Sequence, residues 1–371
     1  MKVTQIETTV TLSPPRDKPL RDALQTLSGG GSVTVKVYTS PSPLLSKEGL
    51  GEVAPLLSKE GSGEVGIIGT GSAFFGRIPG APKTLKVLID EELAPIVIGR
   101  DPFDVRAIHE DLKRETEYHG FTGITMFGIA ALDVALWDIV GQACGVPCYK
   151  LWGACRDRVP AYAMVGWLNY TVEELKPICE RALKEGFRAV KMKVGCPTLE
   201  EDVQRIVAVR SVIGKDTKLM VDANQVFTVA EAIRRGKVYE ELGCYWFEEP
   251  IPAHDYDGYA EIAANLTIPL ATGENLYGKE EFKELLTRKG ADLVQPDLRR
   301  AGGPTEIMAI AQMAAAFGLP WASHGGGPVM LNLLCATPNA AWLETGFVSG
   351  GKPILEDGCA LAPQGAGFAW E

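Results

Sequence analysis

At 371 residues, 46% of them hydrophobic, the chain is too long for one small core and suits a barrel of about 250 residues with a companion domain. A formal net charge of −10 argues against sequence-independent nucleic-acid binding, which needs a concentrated basic face, yet local lysines can still hold an anionic small substrate. No uninterrupted apolar stretch approaches the roughly 20 residues of a membrane span, and Met1-Lys2-Val3-Thr4-Gln5-Ile6 lacks a signal-peptide core, so a cytoplasmic protein without membrane partners is expected.

In chain order, Thr4, Ile6, Thr8 and Val10 alternate with polar positions, as do Val33, Val35 and Val37, which predicts an antiparallel meander. Its hairpin from Tyr38 to Ile67 is interrupted by two near-identical twelve-residue units, Pro43–Ala54 and Pro55–Gly66, differing only at Leu50/Ser62 and Ala54/Gly66. Two units are too few for a solenoid, so this reads as a duplicated surface insertion, with a partner-binding arm as the alternative. Two helices should follow. One opens at Asp101-Pro102, an N-cap with proline at the first helical position, and one spans about Met126 to Val140 with Ile129, Leu132, Ala135, Leu136 and Ile139 on its apolar side. Pro147 and Gly153 then mark the boundary between an α+β domain of residues 1–150 and a barrel of residues 151–371. Eight cysteines without a Cys-x-x-Cys pair read as mostly reduced, core-packed thiols; Cys196, close behind a lysine pair, reads as a small residue after a strand.

The second part has a rhythm. After Lys191-Met192-Lys193, one acidic or histidine residue closes each short apolar run: Asp222, Glu248, Glu274, Asp297, His324 and Glu344, spaced 20–29 residues apart. That is one strand plus one helix per step, so each reactive side chain sits at the exit of a barrel strand. Thr198 with Glu201 and Thr228 with Glu231 have capping-box spacing, and Val203, Ile206, Val207 and Ile213 fall on one helical face. A further helix after Gly302-Gly303-Pro304 stops at Gly318.

Three carboxylates in one mouth, Asp222, Glu248 and Glu274, would repel one another, so their convergence implies a cation. Oxygen-only ligation favours Mg²⁺. Lys191 and Lys193, at i and i+2 of a strand, face the interior together. Each ammonium lowers the other's pKa, so Lys193 can act as a neutral base while Lys191 holds a substrate carboxylate. Asp297 can meet one nitrogen of His324 and leave the other free for substrate. A protonated Glu344 can donate to the charged oxygen of an ene-diolate. Together these groups describe removal of a proton next to a carboxylate, with Lys193 and His324 on opposite faces.

As a set, Ala131-Leu132-Asp133, Trp137-Asp138, Lys191-Met192-Lys193, Val221-Asp222-Ala223-Asn224, Glu248-Glu249-Pro250, Gly273-Glu274-Asn275, Pro296-Asp297, Gly302-Gly303, Ser323-His324 and Trp342-Leu343-Glu344 resemble the enolase superfamily, mandelate racemase subgroup. The resemblance implies an α+β capping domain over a modified TIM barrel of (β/α)7β type. It also implies Mg²⁺ on Asp222, Glu248 and Glu274, bases Lys193 and His324, Lys191 on the substrate carboxylate, Glu344 as electrophile and Asn224 near a substrate hydroxyl. Here the chain ends at Trp370-Glu371, where relatives often continue back towards the cap. The expected partner is a small-molecule carboxylate, and a homo-oligomer is expected. A substrate with a hydroxyl beside the carbanionic carbon gives a sugar-acid dehydratase, which Arg16, Asp17, Lys18, Arg21 and Asp22 in the cap favour; one without gives a racemase or epimerase. A barrel that only binds its ligand, or a Schiff-base aldolase using Lys193, would not need this full set.

Overall fold

The computed structural model describes residues 1–41, 66–77, 79–347 and 353–370; the duplicated units at 43–66 lie, apart from Gly66, outside them. Strands β1 (Val3–Ser13), β4 (Gly30–Thr39) and β5 (Ile68–Phe75) form the expected antiparallel meander, with Val10 opposite Val33 and Tyr38 opposite Ile68. Val33, Val35 and Val37 alternate inwards and are fully buried. Between β1 and β4, two short strands, β2 (Leu20–Arg21) and β3 (Thr26–Leu27), fold the charged segment into a hairpin. It rests on the barrel: Leu168 N–H donates to the Arg21 carbonyl, and Asn169 Nδ2 donates to the Pro19 carbonyl.

The helical part of this domain differs from the sequence expectation in three ways. An additional helix comes first, α1 (Ala81–Leu88), which runs through a π-turn at Ile89–Leu93 into α2 (Ala94–Val97). Asp101-Pro102 does not open a helix; Asp101 Oδ1 accepts the Phe103 N–H in a local turn, and α3 (Val105–Glu115) begins only after Asp104. The next helix, α4 (Ile124–Cys144), extends beyond 126–140 at both ends and stops where Gly145 turns left-handed. It runs for 21 residues and contains an 18-residue window of mean hydropathy 1.7, long and apolar enough to cross a membrane by composition alone. Yet 89% of that window is buried inside the protein, against β5 and the barrel. Gly69 and Gly71 of β5 make the contact possible, because a Cβ at either would lie within 2.0 Å of the Ala135 or Ala131 carbonyl oxygen.

After one turn, α5 (Cys148–Leu151), eight parallel strands close into a barrel: β6 (Arg158–Gly166), β7 (Ala189–Lys193), β8 (Lys218–Asp222), β9 (Trp246–Glu248), β10 (Leu270–Thr272), β11 (Leu293–Val294), β12 (Trp321–Ala322) and β13 (Ala340–Thr345), with β13 pairing back to β6. Seven connections carry helices: α6 (Val172–Lys184), α7 (Leu199–Ile213), α8 (Val229–Glu241), α9 (Tyr256–Asn265), α10 (Gly278–Thr287), the turn α11 (Leu298–Ala301) with α12 (Pro304–Ala316), and α13 (Pro328–Ala336). This is a (β/α)7β barrel with an α+β cap.

Thr198 and Glu201 satisfy each other's backbone reciprocally at the start of α7, as expected. At α8 only half the box forms: Thr228 accepts the Glu231 N–H, but the Glu231 carboxylate turns to Arg234 and Arg235, which offer it charged donors. On α7 the buried face runs through Ile206, Val209 and Ile213; Val207 points away and is exposed, because the face drifts at 3.6 residues per turn.

Beyond β13, strands β14 (Leu355–Glu356) and β15 (Cys359–Leu361) add antiparallel to the start of β6. The last residues return to α4, where the buried Asp138 carboxylate accepts the Phe368 N–H at 3.1 Å and Trp370 Nε1 at 3.0 Å, besides the Thr70 N–H and Gln142 Nε2. One side chain thus joins sheet, helix and C-terminal segment. Asp138→Ala leaves buried donors without a partner and should lower unfolding free energy by about 2–4 kcal/mol in urea titrations; a loss below about 1 kcal/mol would show the joint to be dispensable.

Candidate active site

An apolar layer of Tyr162, Ala189, Met220, Trp246, Ala271, Leu293, Ala322 and Trp342 fills the barrel below the site. Above it, the interior turns polar two residues further along the strands, from Ala189 to Lys191, Met220 to Asp222, Trp246 to Glu248 and Trp342 to Glu344. Parallel register aligns Lys193, Asp222 and Glu248 across β7, β8 and β9, so their side chains form one row. Met192, between the lysines, packs outwards into the helical shell. Glu274 follows β10 by two residues, Asp297 and His324 pair as a bridge beyond β11 and β12, and Glu344 lies in β13. All the residues singled out at strand ends therefore converge.

Asp222, Glu248 and Glu274 offer oxygens within 4.8 Å of one another, all buried. Lys191 Nζ, fully buried, lies 2.6 Å from Glu248 Oε1, 2.9 Å from Glu344 Oε1 and 3.7 Å from Asp222 Oδ2; Lys193 Nζ lies 2.5 Å from Asp222 Oδ2. Glu248 Oε2 accepts Trp246 Nε1 and Gln295 Nε2, both at 3.0 Å. His324 Nδ1 stands 2.9 Å from Asp297 Oδ2, and its Nε2 stands 3.0 Å from Glu274 Oε2. The Asn224 side chain is buried here, its Oδ1 without a partner; Tyr162 Oη, Glu249 Oε1 and Gln295 Oε1 are likewise unpartnered. Asn224, Gln225 and Glu249, just beyond β8 and β9, all have positive φ, a concentration of backbone strain typical of functional loops.

The charges are unbalanced. Asp222, Glu248, Glu249, Glu274 and Glu344 surround Lys191, Lys193 and His324, with the Arg300 guanidinium beside Glu274. Burial, then the Asp222 charge, pushes Glu248 up to about 8, and burial with Glu274 raises Glu249 well above the carboxylate range. Burial works against Lys191 and Lys193, but Glu248 and Glu344 outweigh it at Lys191, and Asp222 outweighs it at Lys193. Both ammoniums are thus held above their usual range. Burial is likewise overcome at His324, which Glu274 and Asp297 raise to about 10, and at Glu344, which Lys191 and His324 hold low.

These contacts give three of the groups partners that their spacing in the sequence did not reveal. Lys193 Nζ meets the Asp222 carboxylate at 2.5 Å, which in the absence of a metal raises its pKa against the effects of burial and of the neighbouring Lys191. The second nitrogen of His324 is not free but faces Glu274. Glu344 accepts the Gly325 N–H at 2.6 Å through Oε2, and Lys191 and His324 lower its pKa.

Sequence reading missed several contributors. Gln295 was findable, since i and i+2 of a strand share a face and Asp297 is two residues on. Glu249 lay within a quoted motif without a role. For Arg299, whose guanidinium meets Asp297, no local pattern gave a signal. A second acidic cluster, His109, Glu110 and Glu306, sits between cap and barrel. Glu306 Oε1 already has Lys113 and Lys279 Nζ at 2.9 Å, so its charge is met by the chain itself.

A barrel with acid/base groups at the exits of seven of its eight strands under an α+β cap defines the enolase superfamily class. The family described as Mandelate racemase / muconate lactonizing enzyme, N-terminal domain, matches residues 60–153, and Enolase C-terminal domain-like matches residues 174–371. The chain belongs to the mandelate racemase/muconate lactonizing enzyme family of that superfamily. It is 35% identical to an arabinonate dehydratase of Saccharolobus solfataricus over 271 residues, 71% of this chain and 73% of the relative. It superposes on a racemase from Streptomyces coelicolor A3(2) with bound magnesium at a TM-score of 0.87 and 28% identity, covering 99% of this chain and 96% of the other. An L-talarate dehydratase from Polaromonas sp. JS666, complexed with Mg and L-glucarate, matches at a TM-score of 0.86 and 28% identity, covering 99% and 94%.

Because Glu248 holds its proton more tightly folded than unfolded, its stabilising contribution is complete below about pH 4.5 and is lost as pH rises through about 8. Metal-free protein should therefore lose stability across that window, and Glu248→Gln should flatten the loss in thermal melts taken at successive pH values. An unchanged slope in the variant would contradict the charge surplus.

Proposed function

We propose that this enzyme removes the α-proton of a hydroxy-carboxylate in a Mg²⁺-dependent reaction through an ene-diolate, and that it dehydrates a sugar acid to a 2-keto-3-deoxy acid. The observation that carries this reading is the buried carboxylate triad with Lys193 on one side and His324–Asp297 on the other. The triad fits a hard divalent cation: its donors are all oxygen, all buried, and within 4.8 Å of one another. When bound, Mg²⁺ would supply charge neutralisation for the substrate carboxylate and for the oxyanion that develops from it.

The chain's own residues do the rest. Lys191 gives the substrate carboxylate a fixed positive charge at the closed base of the site. Lys193 takes the α-proton at Nζ. Once Asp222 no longer spends its charge on Lys193 alone, burial and the nearby Lys191, both of which press its pKa down, leave it a base. His324, held through Nδ1 by Asp297, presents Nε2 to the opposite face. There it protonates the hydroxyl that leaves the adjacent carbon as water, and the resulting enol becomes the 2-keto acid. Glu344, Asn224 and the unpartnered polar atoms around them orient the hydroxyls.

Support for dehydration comes from the relatives named as dehydratases of arabinonate and L-talarate. The racemase neighbour favours a second reading, in which His324 returns a proton to the carbon instead of to a leaving hydroxyl. A screen of sugar acids and 2-hydroxy acids, read for 2-keto acid formation and for loss of optical rotation without it, separates the two. Chelation should reduce turnover to background and added Mg²⁺ should restore it; turnover surviving exhaustive EDTA treatment would sink the metal assignment.

Lys193→Ala should lower kcat by about 10²–10⁴-fold, as expected for loss of a general base. Exchange of the α-proton in D₂O should persist from one stereochemical face in His324→Asn and from the other in Lys193→Ala. Loss of the same face in both variants would refute the two-base arrangement.

A further inference from the structure

Asp297 is satisfied beyond what its charge requires. Its Oδ1 accepts the Arg299 and Arg300 N–H groups at 2.9 and 3.0 Å, a side-chain cap on α11, and its Oδ2 lies 2.9 Å from His324 Nδ1. Onto this comes the Arg299 guanidinium as a fork: Nη2 donates to Oδ2 at 2.6 Å and Nε to Oδ1 at 3.2 Å. A lone balancing charge would need only one such contact, whereas two parallel ones fix the plane of the carboxylate. The third nitrogen leaves the barrel altogether. Arg299 Nη1 donates at 3.1 Å to the carbonyl of Phe74, at the end of cap strand β5. The guanidinium also lies over the Phe127 ring of α4 at 5.9 Å, and Phe127 stacks on Phe75 at 5.2 Å. The side chain that sets the aspartate's plane is therefore itself set by the cap.

We propose that Arg299 is a positioning residue for the second base: it fixes the Asp297–His324 pair and ties that pair's orientation to the seating of the cap. The unbroken line runs from Phe74 O through the guanidinium and the Asp297 carboxylate to His324 Nδ1. Its catalytic meaning rests on the reading of His324 as the base opposite Lys193. Its geometric content does not.

The test uses the full chain saturated with Mg²⁺ and labelled with ¹⁵N at histidine; with four histidines, the His324 signals are assigned by their absence in His324→Asn. The measured quantity is the solvent exchange of the His324 Nδ1–H that faces Asp297. Arg299→Met keeps the length of the side chain but removes the fork, and exchange should accelerate about tenfold or more, the weight of one charge-assisted hydrogen bond. Arg299→Lys retains the charge without the fork and should show the same acceleration, and it decides the matter if Arg299→Met does not fold. Exchange at the wild-type rate in a folded variant overturns the proposal. Failure of the functional reading would look different: α-proton exchange from both faces would survive in His324→Asn, while the Nδ1–H would still depend on Arg299.

Discussion

The structure is organised around one unfavourable act, the burial of more carboxylates than cations at one end of a closed barrel. Asp222, Glu248, Glu249, Glu274 and Glu344 sit within a few side-chain lengths of one another, away from water. Left to themselves they would take up protons, as the raised pKa values of Glu248 and Glu249 show. The chain offsets part of this with Lys191, Lys193 and His324, each of which is held protonated by the partner it serves. Protons held by Glu248 and Glu249 make up the difference when no metal is bound. A divalent cation can take the place of those protons, which is why the site is receptive to one.

Holding such a cluster requires a rigid frame. The apolar layer beneath it, with Tyr162 edge-on to Trp246 at 5.3 Å, closes the barrel against water. Trp246 and Gln295 fix Glu248 from below. On the other side, the cap is attached by carboxylates of its own longest helix. Asp133 of α4 accepts the Thr305 N–H and hydroxyl at the start of α12, and burial pushes it up to about 6; Asp138 gathers β5 and the C-terminal segment. Both residues would be costly in an apolar helix without these partners. They account for how α4 can have the composition of a membrane span and serve as the joint between two parts of the molecule.

Much of this was legible in the sequence for a simple reason. A barrel strand is short, its interior positions alternate, and its exit is the only place where a polar side chain can enter the mouth. Lys191, Lys193, Asp222, Glu248, Glu274, Asp297, His324 and Glu344 could therefore be picked out one strand at a time. The cap was harder to read. Helix α1 has few strong apolar positions and runs into a π-turn, and the Asp101-Pro102 pair satisfies the rules for a helix start while making a turn instead. Val207 failed for a similar reason: a nominal face drawn from spacing does not know which flank the neighbouring helix will cover.

The sequence by itself determined the architecture and which side chains meet at the barrel mouth, because strand period and residue type are local properties. Only the tertiary structure decided their charge states and partners. Whether Lys193 is neutral, whether His324 has a free nitrogen and whether Glu344 carries a proton depend on ångström-scale distances between residues as far as 153 positions apart, as in the 2.9 Å contact of Lys191 with Glu344. Arg299 marks the limit most clearly. It stands two residues after Asp297, yet nothing local shows that it turns back onto that carboxylate, since the carbonyl that orients it belongs to Phe74, 225 residues away in the chain. Electrostatic energy follows separation in space and burial, and neither is written in the order of the residues.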